Sequence, residues 1–397
     1  MKEIHNILEA YRHTDFSERN AVLASVVKVS GSSYRNPGAR MLILDNGRWI
    51  GSISGGCLEG DAMRKAISVM RDKKPMLVTY DTMDDENNTL GVGLGCNGII
   101  DILLEPVDNK EQSKPIDHLK DLISFKGIGV SALVFHSEDK ESTKEGDRIL
   151  LKPNDIVDHK YGTGYLNKLI EKDLVQSLSS KTSQTKSYNS LKGSIEVLFE
   201  IIEPNIELLI FGAGADAQPV TQLAKALGWH VRVSDECIAH LAPANFPAAD
   251  EMISCQRKYV KKEVEINPYT AIIVMSHNYD YDLEVLKQIV ASPSPYIGIL
   301  GPKKRTEKLF DALRKAKINL TQTQKNRIHT PIGLDIGAET ADEIALSILS
   351  EILAIFSGRS GGFLKYHNGP IHKRYGSNNQ VFKQVYLNHS NESQEIG

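Results

Sequence analysis

The sequence predicts an α/β protein: an N-terminal mixed α+β domain followed by a Rossmann-like, doubly wound parallel-sheet domain. Three observations predict it. From residue 208 onward, short apolar runs alternate with helical patterns, which calls for a parallel sheet wound by right-handed crossovers. The first of those runs leads into Gly212-Ala213-Gly214-Ala215-Asp216-Ala217, a G-x-G-x-x-A turn opening a helix. Upstream, strand patterns follow one another directly, with Asp45-Asn46-Gly47 as a hairpin turn. At about 100–200 residues per domain, 397 residues suit two or three domains.

The N-terminal domain is expected over 1–204. Ile4, Ile7, Leu8 and Tyr11 stand at helical spacing, interrupted by charges that do not suit a signal peptide. Strands are read at 21–29, 39–47, 48–54, 75–81 and 99–107. A helix is read over 55–74, with Cys57, Leu58, Ala62, Ala66, Ile67 and Met70 on one face. GVSALVFHS, RILLKPN and SIEVLFEII read as further strands, and the Ser/Thr-rich stretch 176–190 as an exposed loop. Pro204 marks the linker. The Rossmann-like domain spans 205–360, with strands at 208–212, 230–235, 251–254, 271–276 and 296–301 and a strongly apolar helix at 344–357. Residues 361–397 read as a poorly ordered polar tail.

Composition narrows the function classes. A formal charge of −3 argues against a nucleic-acid coat. No apolar run reaches the ~18 residues of a membrane span. The four cysteines (57, 96, 237 and 255) lie far apart without a CxxC, against a zinc site or disulfide framework and in keeping with the cytoplasm.

At the nucleotide loop, Gly212 permits the tight turn, Gly214 lets backbone approach a phosphate, and Ala217 allows close helix–strand packing. Asp235 ends the second strand, where a carboxylate accepts from a ribose and opposes a 2′-phosphate. Asp216 counts against a tightly held pyrophosphate. A Rossmann sheet that kept its geometry and lost its ligand is the rival account. His277, Asp280 and Asp282 follow a strand at the ligand-binding end of the sheet; an acid–base or metal cluster competes there with a capped helix start. Lys303, Lys304 and Arg305 face a phosphate or simply solvent. Gly333, Asp335 and Gly337 form a tight loop before the apolar helix, with Glu339 and Thr340 as capping residues. In the first domain, Cys57 follows Gly55 and Gly56 where the helix is expected to begin, so it is either an activated thiol or a packed small apolar residue. Cys96 lies within Gly93-Leu94-Gly95-Cys96-Asn97-Gly98. Arg35 and Arg40, flanking Pro37-Gly38, are anion binders or members of structural ion pairs.

Taken in order, GSSYRNPGARMLI (31–43), GSISGGCLEGD (51–61), LGVGLGCNGIIDILLEP (90–106), LLIFGAG (208–214), GILG (298–301) and PIGLDIGAETADEIALSILSEI (331–352) closely resemble the xanthine dehydrogenase accessory factor family of the XdhC/CoxI type, over about residues 1–360. The resemblance implies a chaperone that binds the molybdenum cofactor (molybdopterin) as cargo, protects it and hands it to apo-xanthine dehydrogenase or a related molybdenum hydroxylase. It also implies a homodimer. Cys57 and Cys96 become candidate contacts to the molybdenum. Gly55, Gly56, Arg40, Gly212, Gly214, Ala217, Asp235, Lys303, Gly333, Asp335 and Gly337 become candidate cofactor-binding positions, and His277 with Asp280 the candidate acid–base pair. Three departures stand out: Ala215 where the family often has His, His277-Asn278 where it often has His-Asp, and Gly301-Pro302-Lys303-Lys304 where it often has GSRR. Lys supplies charge to a phosphate without arginine's bidentate fork. An NAD(P)-dependent oxidoreductase and a nucleotide-sensing regulatory module are the alternatives that the G-x-G-x-x-A turn supports.

Overall fold

The strand patterns before Pro204 form two antiparallel sheets, and the second repeats the first. The computed structural model describes residues 1–31, 33–81, 98–108, 113–139, 143–153, 156–161, 167–190, 192–368 and 385–386. The chain divides into two compact units at Pro204–Asn205. The first unit runs α1 (Lys2–Arg12), β1 (Ala21–Gly31), β2 (Arg40–Leu44), β3 (Trp49–Gly51), α2 (Glu59–Asp72), β4 (Met76–Asp81) and β5 (Gly98–Val107). It continues as α3 (Lys114–Ile123), β6 (Gly129–Ser137), β7 (Arg148–Lys152), β8 (Ile156–Tyr161), α4 (Asn167–Ser180), β9 (Gln184–Ser190) and β10 (Gly193–Ile202).

One sheet has the order β3-β2-β1-β5-β4 and the other β9-β10-β6-β7-β8, the same order reversed, with Val385–Tyr386 added at the β9 edge. The correspondence extends to individual turn and bulge residues. Val26 accepts from Gly38 N and donates to the Ala39 carbonyl around the β1–β2 turn, as Val134 accepts from Gly146 N and donates to the Asp147 carbonyl around β6–β7, 108 positions later (26 to 134, 38 to 146). The β1–β5 ladder slips at Val27, and the β6–β10 ladder at its counterpart Phe135. These two bulge residues meet Leu103, Leu133 and Leu198 in one buried cluster drawn from both sheets.

The same symmetry places two buried ion pairs between the sheets. Arg40 on β2 grips Glu200 on β10 with Nη1 at 3.1 Å and Nη2 at 2.5 Å, and also donates to the Gly38 carbonyl at 2.6 Å. Arg148 on β7 grips Glu105 on β5 and donates to the Gly146 carbonyl at 2.7 Å. Gly38 and Gly146 have φ of 95° and 90°; a Cβ on either would lie within 3 Å of the opposing carboxylate. Glycine is therefore required at both turns for conformation and for space.

Two expectations are corrected. Residues 176–190 are not a loop: they complete α4 and form β9. Leu174 and Tyr188 are buried in one cluster with β10, and pairing with that strand outweighs the weak strand preference of QTKSYNS. The helix expected from residue 55 starts at Glu59, because the preceding backbone is bound by the Glu59 side chain, as described below. Ala62, Ala66, Val69 and Met70 form its buried face, while Ile67 points to solvent.

The second unit contains β11 (Glu207–Phe211), α5 (Ala217–Ala226), β12 (His230–Asp235), β13 (Glu251–Ser254), α6 (Val260–Glu263), β14 (Thr270–Val274), α7 (Tyr279–Ile289), β15 (Tyr296–Ile299), α8 (Lys303–Lys315), α9 (Gln322–Asn326), β16 (Ile328–His329) and α10 (Ala341–Phe356). Its six strands are parallel, in the order β13-β12-β11-β14-β15-β16. Alternate residues of β11 and β14 feed opposite cores: Leu208, Ile210 and Ile273 pack toward α5 and α10, Leu209, Phe211 and Ile272 toward α7 and α8. Strand order reverses between β11 and β14, so their carboxyl ends flank the crevice where ligands bind in this architecture.

Removing one partner of a buried ion pair strands the other charge, at a cost of about 3–5 kcal/mol. Glu200→Ala and Glu105→Ala are therefore each expected to lower the unfolding free energy by about that amount in urea titrations followed by circular dichroism. The paired replacement Arg40→Met with Glu200→Leu is expected to be near neutral. A silent single substitution would remove that pair from the account of how the sheets are held together.

Candidate functional site

In the first unit, β1, β3 and β4 run in the same direction along their sheet. The β1–β2 loop, the segment before α2, and the strand ends Asp81 and Gly98 are therefore directed the same way. Cys96, which falls between Asp81 and Gly98 in the sequence, lies outside the described residues.

The segment 52–58 is organised by one side chain. The Glu59 carboxylate accepts from the backbone N–H groups of Ile53 (3.1 Å), Ser54 (2.9 Å), Gly55 (3.2 Å), Gly56 (2.9 Å) and Leu58 (3.2 Å), and from the hydroxyls of Ser52 (2.9 Å) and Ser54. Gly55 and Gly56 take φ of 84° and 120°, which lets successive amides converge on one point. Burial works against the Glu59 charge, but the donors from Ser54, Ser52 and the backbone prevail and hold the carboxyl down at about 2. The glycine amides expected to meet a cofactor anion therefore face the protein's own carboxylate. Gly55 has a second duty: a Cβ there would lie 2.6 Å from the Tyr34 ring, which rests against it while remaining 67% exposed. Cys57 is exposed and stands just before Leu58, which takes the N-cap position of α2 without a side-chain cap.

Both candidate arginines of the first unit, Arg35 and Arg40, are engaged in ion pairs. Arg40 is 5% exposed and bound to Glu200. Arg35 is held by Glu3 at 2.7 Å, and Glu3 also accepts from Ser52 N at 3.1 Å. The sequence left an ion pair open for both residues, and both are in one.

In the second unit, Gly212 (φ 113°) directly follows β11. Its hydrogen faces the backbone of Ser276, where a Cβ would approach Cα to 2.5 Å, so glycine is needed for the β14 connection to pass. Gly214 opens toward Asp216 and His277. Ala217 is fully buried. His277, at φ 60°, reaches across to Asp216 (Nε2–Oδ2 2.7 Å) rather than to Asp280. Asp280 is exposed in the first turn of α7, capped by the Asn278 side chain. Asp282 is fully buried and paired with Arg305 at 2.7 Å; burial pushes its carboxyl up despite that arginine. Asp235 is 7% exposed and accepts from Ala213 N at 2.9 Å and Cys237 N at 2.8 Å. Lys303 and Lys304 are exposed at the start of α8.

The Gly333–Gly337 loop is stitched to α10. Gly333 N donates to Glu351 at 2.9 Å, and Ser347 Oγ donates to the Leu334 carbonyl at 2.6 Å. Thr340 and Glu343 form a capping box. Asp335 and Gly337 remain exposed. Glu351 also accepts from the Tyr296 hydroxyl (2.5 Å) and contacts His329 (3.1 Å), a half-buried polar cluster that sequence spacing did not reveal because its members are 22 and 55 positions from Glu351. Among the described residues no group of three or more His, Cys, Asp or Glu is arranged to hold a metal ion, and no helix is long and apolar enough to cross a membrane.

Comparison with known proteins agrees in both units. Residues 17–81 match the model of the XdhC and CoxI family, and residues 208–352 match the XdhC Rossmann domain. The chain is 29% identical over 353 residues to a Bacillus subtilis protein described as a probable xanthine dehydrogenase subunit, covering 89% of this chain and 97% of that one. It is 24% identical over 344 residues to the Escherichia coli molybdenum cofactor insertion chaperone PaoD, covering 85% and 84%. A crystal structure described as a xanthine dehydrogenase from Bacillus halodurans superposes with a TM-score of 0.70 at 29% identity, covering 91% of this chain and 97% of that one.

Because the Glu59 carboxyl lies below its ordinary value of 4.5, its contribution to stability is complete above that pH and lost as pH falls through about 2. Glu59→Gln is expected to lower the thermal midpoint at pH 7, with the gap to the unaltered protein narrowing below pH 4.5. A gap independent of pH would mean that the carboxylate charge is not what organises the turn.

Proposed function

Because this chain belongs to the XdhC and CoxI family, we propose that it binds the molybdenum cofactor and delivers it to a xanthine-dehydrogenase-like molybdoenzyme. PaoD, described as an insertion chaperone and similar over most of both chains, supports an accessory role over a self-contained dehydrogenase. The observation that carries the reading is the exposed Cys57 thiol, borne on a turn whose backbone is held from inside by Glu59. A soft sulfur suits molybdenum. An exposed aromatic ring suits a planar pterin, and Tyr34 rests on the same turn. With Glu59 occupying the backbone amides and Arg40 bound to Glu200, Cys57 and Tyr34 rather than Gly55, Gly56 or Arg40 meet the cargo. Cys96 shares that role in this proposal. The few ligating groups suit a carrier, which must release what it binds. The chain works as a homodimer in the cytoplasm, handing its cargo to the apo-enzyme.

The test is co-elution. Purified protein incubated with released molybdenum cofactor is gel-filtered, and bound pterin is measured by fluorescence after oxidation. Saturable binding, a reduction of at least about tenfold in Cys57→Ser with an unchanged thermal midpoint, and loss of transfer to apo-xanthine dehydrogenase are expected. Absence of pterin in the wild-type peak would overturn the proposal; equal binding by Cys57→Ser would remove the thiol from it.

A further inference from the structure

A Rossmann unit with a G-x-G-x-x-A turn implies a dinucleotide whose pyrophosphate sits on the amides at the N-terminus of the following helix. The residues present do not fit that group. Asp216 occupies the N-cap position of α5, yet its side chain makes no capping hydrogen bond. It turns back over the glycine loop instead, with Oδ1 2.6 Å from where a Cβ on Gly214 would stand and Oδ2 2.7 Å from His277 Nε2. The open face of Gly214, through which a phosphate would approach, is thus taken by a carboxylate. The ribose partner is committed as well: Asp235 is buried, with both oxygens accepting backbone N–H groups and His240 Nδ1 3.4 Å from Oδ2. Gly212 is explained by the Ser276 backbone behind it, without a ligand.

We infer that Asp216, held across the loop by His277, occupies the pyrophosphate position of this Rossmann unit and excludes dinucleotides from it. The incoming phosphates would have to displace a like charge and break its pairing with the imidazole. The family fold is kept for its packing, and the anion site is filled from within. The inference concerns the second unit alone and stands or falls independently of molybdenum cofactor binding.

The experiment titrates NADH, NADPH and ADP into the full chain, followed by nicotinamide fluorescence and calorimetry at neutral pH. Wild-type protein is expected to show no saturable binding at millimolar concentration. Asp216→Ser and Asp216→Gly, checked for an unchanged thermal midpoint, are expected to bind at least about tenfold more tightly than wild type. His277→Ala keeps the carboxylate but removes the contact that holds it across the loop, and is expected to gain less than Asp216→Ser. Saturable dinucleotide binding by the wild-type chain overturns the inference. So does a folded Asp216→Ser that binds no better, since another group then excludes the ligand. A gain in His277→Ala matching that of Asp216→Ser also overturns it, by assigning the exclusion to the ring.

Discussion

Two reciprocal guanidinium–carboxylate bridges organise the first unit. Arg40 reaches from the first sheet to Glu200 on the second, and Arg148 reaches back from the second to Glu105 on the first. Each arginine also binds the carbonyl of the glycine two residues before it, so the turn that presents the arginine is fixed by the same contact. Buried bridges of this kind add little net stability over apolar packing, but a wrong partner is heavily penalised. Their contribution is to specify how the two sheets face each other. With that relation set, the bulge residues Val27 and Phe135 meet in the shared core.

On this duplicated scaffold the halves differ where chemistry is expected. The turn before α2 contains Ser54-Gly55-Gly56-Cys57-Leu58-Glu59, and the corresponding positions 162–167 contain no cysteine and no glutamate. The β4–β5 connection spans 82–97, whereas β9 and β10 are joined through 191–192. One repeat has kept the short connections of a structural element, and the other carries the thiol-bearing segments.

The two units share a device. Each has a glycine-rich turn whose amides or open face would receive an anion, and each turn is met by a carboxylate from its own chain, Glu59 in one and Asp216 in the other. Glu59 pre-organises its turn without a ligand and satisfies the amides there, whereas Asp216 covers the open face of its loop without capping the helix. The consequence differs between the units. In the first, the glycines hold the turn in shape and the exposed atoms beside it, Cys57 Sγ and the Tyr34 ring, are left to meet a partner. In the second, the turn is closed.

By itself the sequence determined the Rossmann unit. The alternation of apolar strands with amphipathic helices marks a parallel, doubly wound sheet, and the G-x-G-x-x-A turn marks where its first crossover begins, because both signals are local. The family could also be recognised, since its motif blocks are contiguous. The duplication was not legible: corresponding residues such as Arg40 and Arg148 stand 108 positions apart (40 to 148) in segments that otherwise share few identities, and only strand register aligns them. Helix α4 and β9 were hidden for a similar reason, as their polar composition is overridden by burial of Leu174 and Tyr188 against β10. Only the tertiary structure decided what the motif residues do. Whether a glycine amide serves a ligand or a neighbouring carboxylate, and whether an arginine is free or bound to a glutamate 160 positions away, depends on side-chain directions that spacing along the chain does not encode.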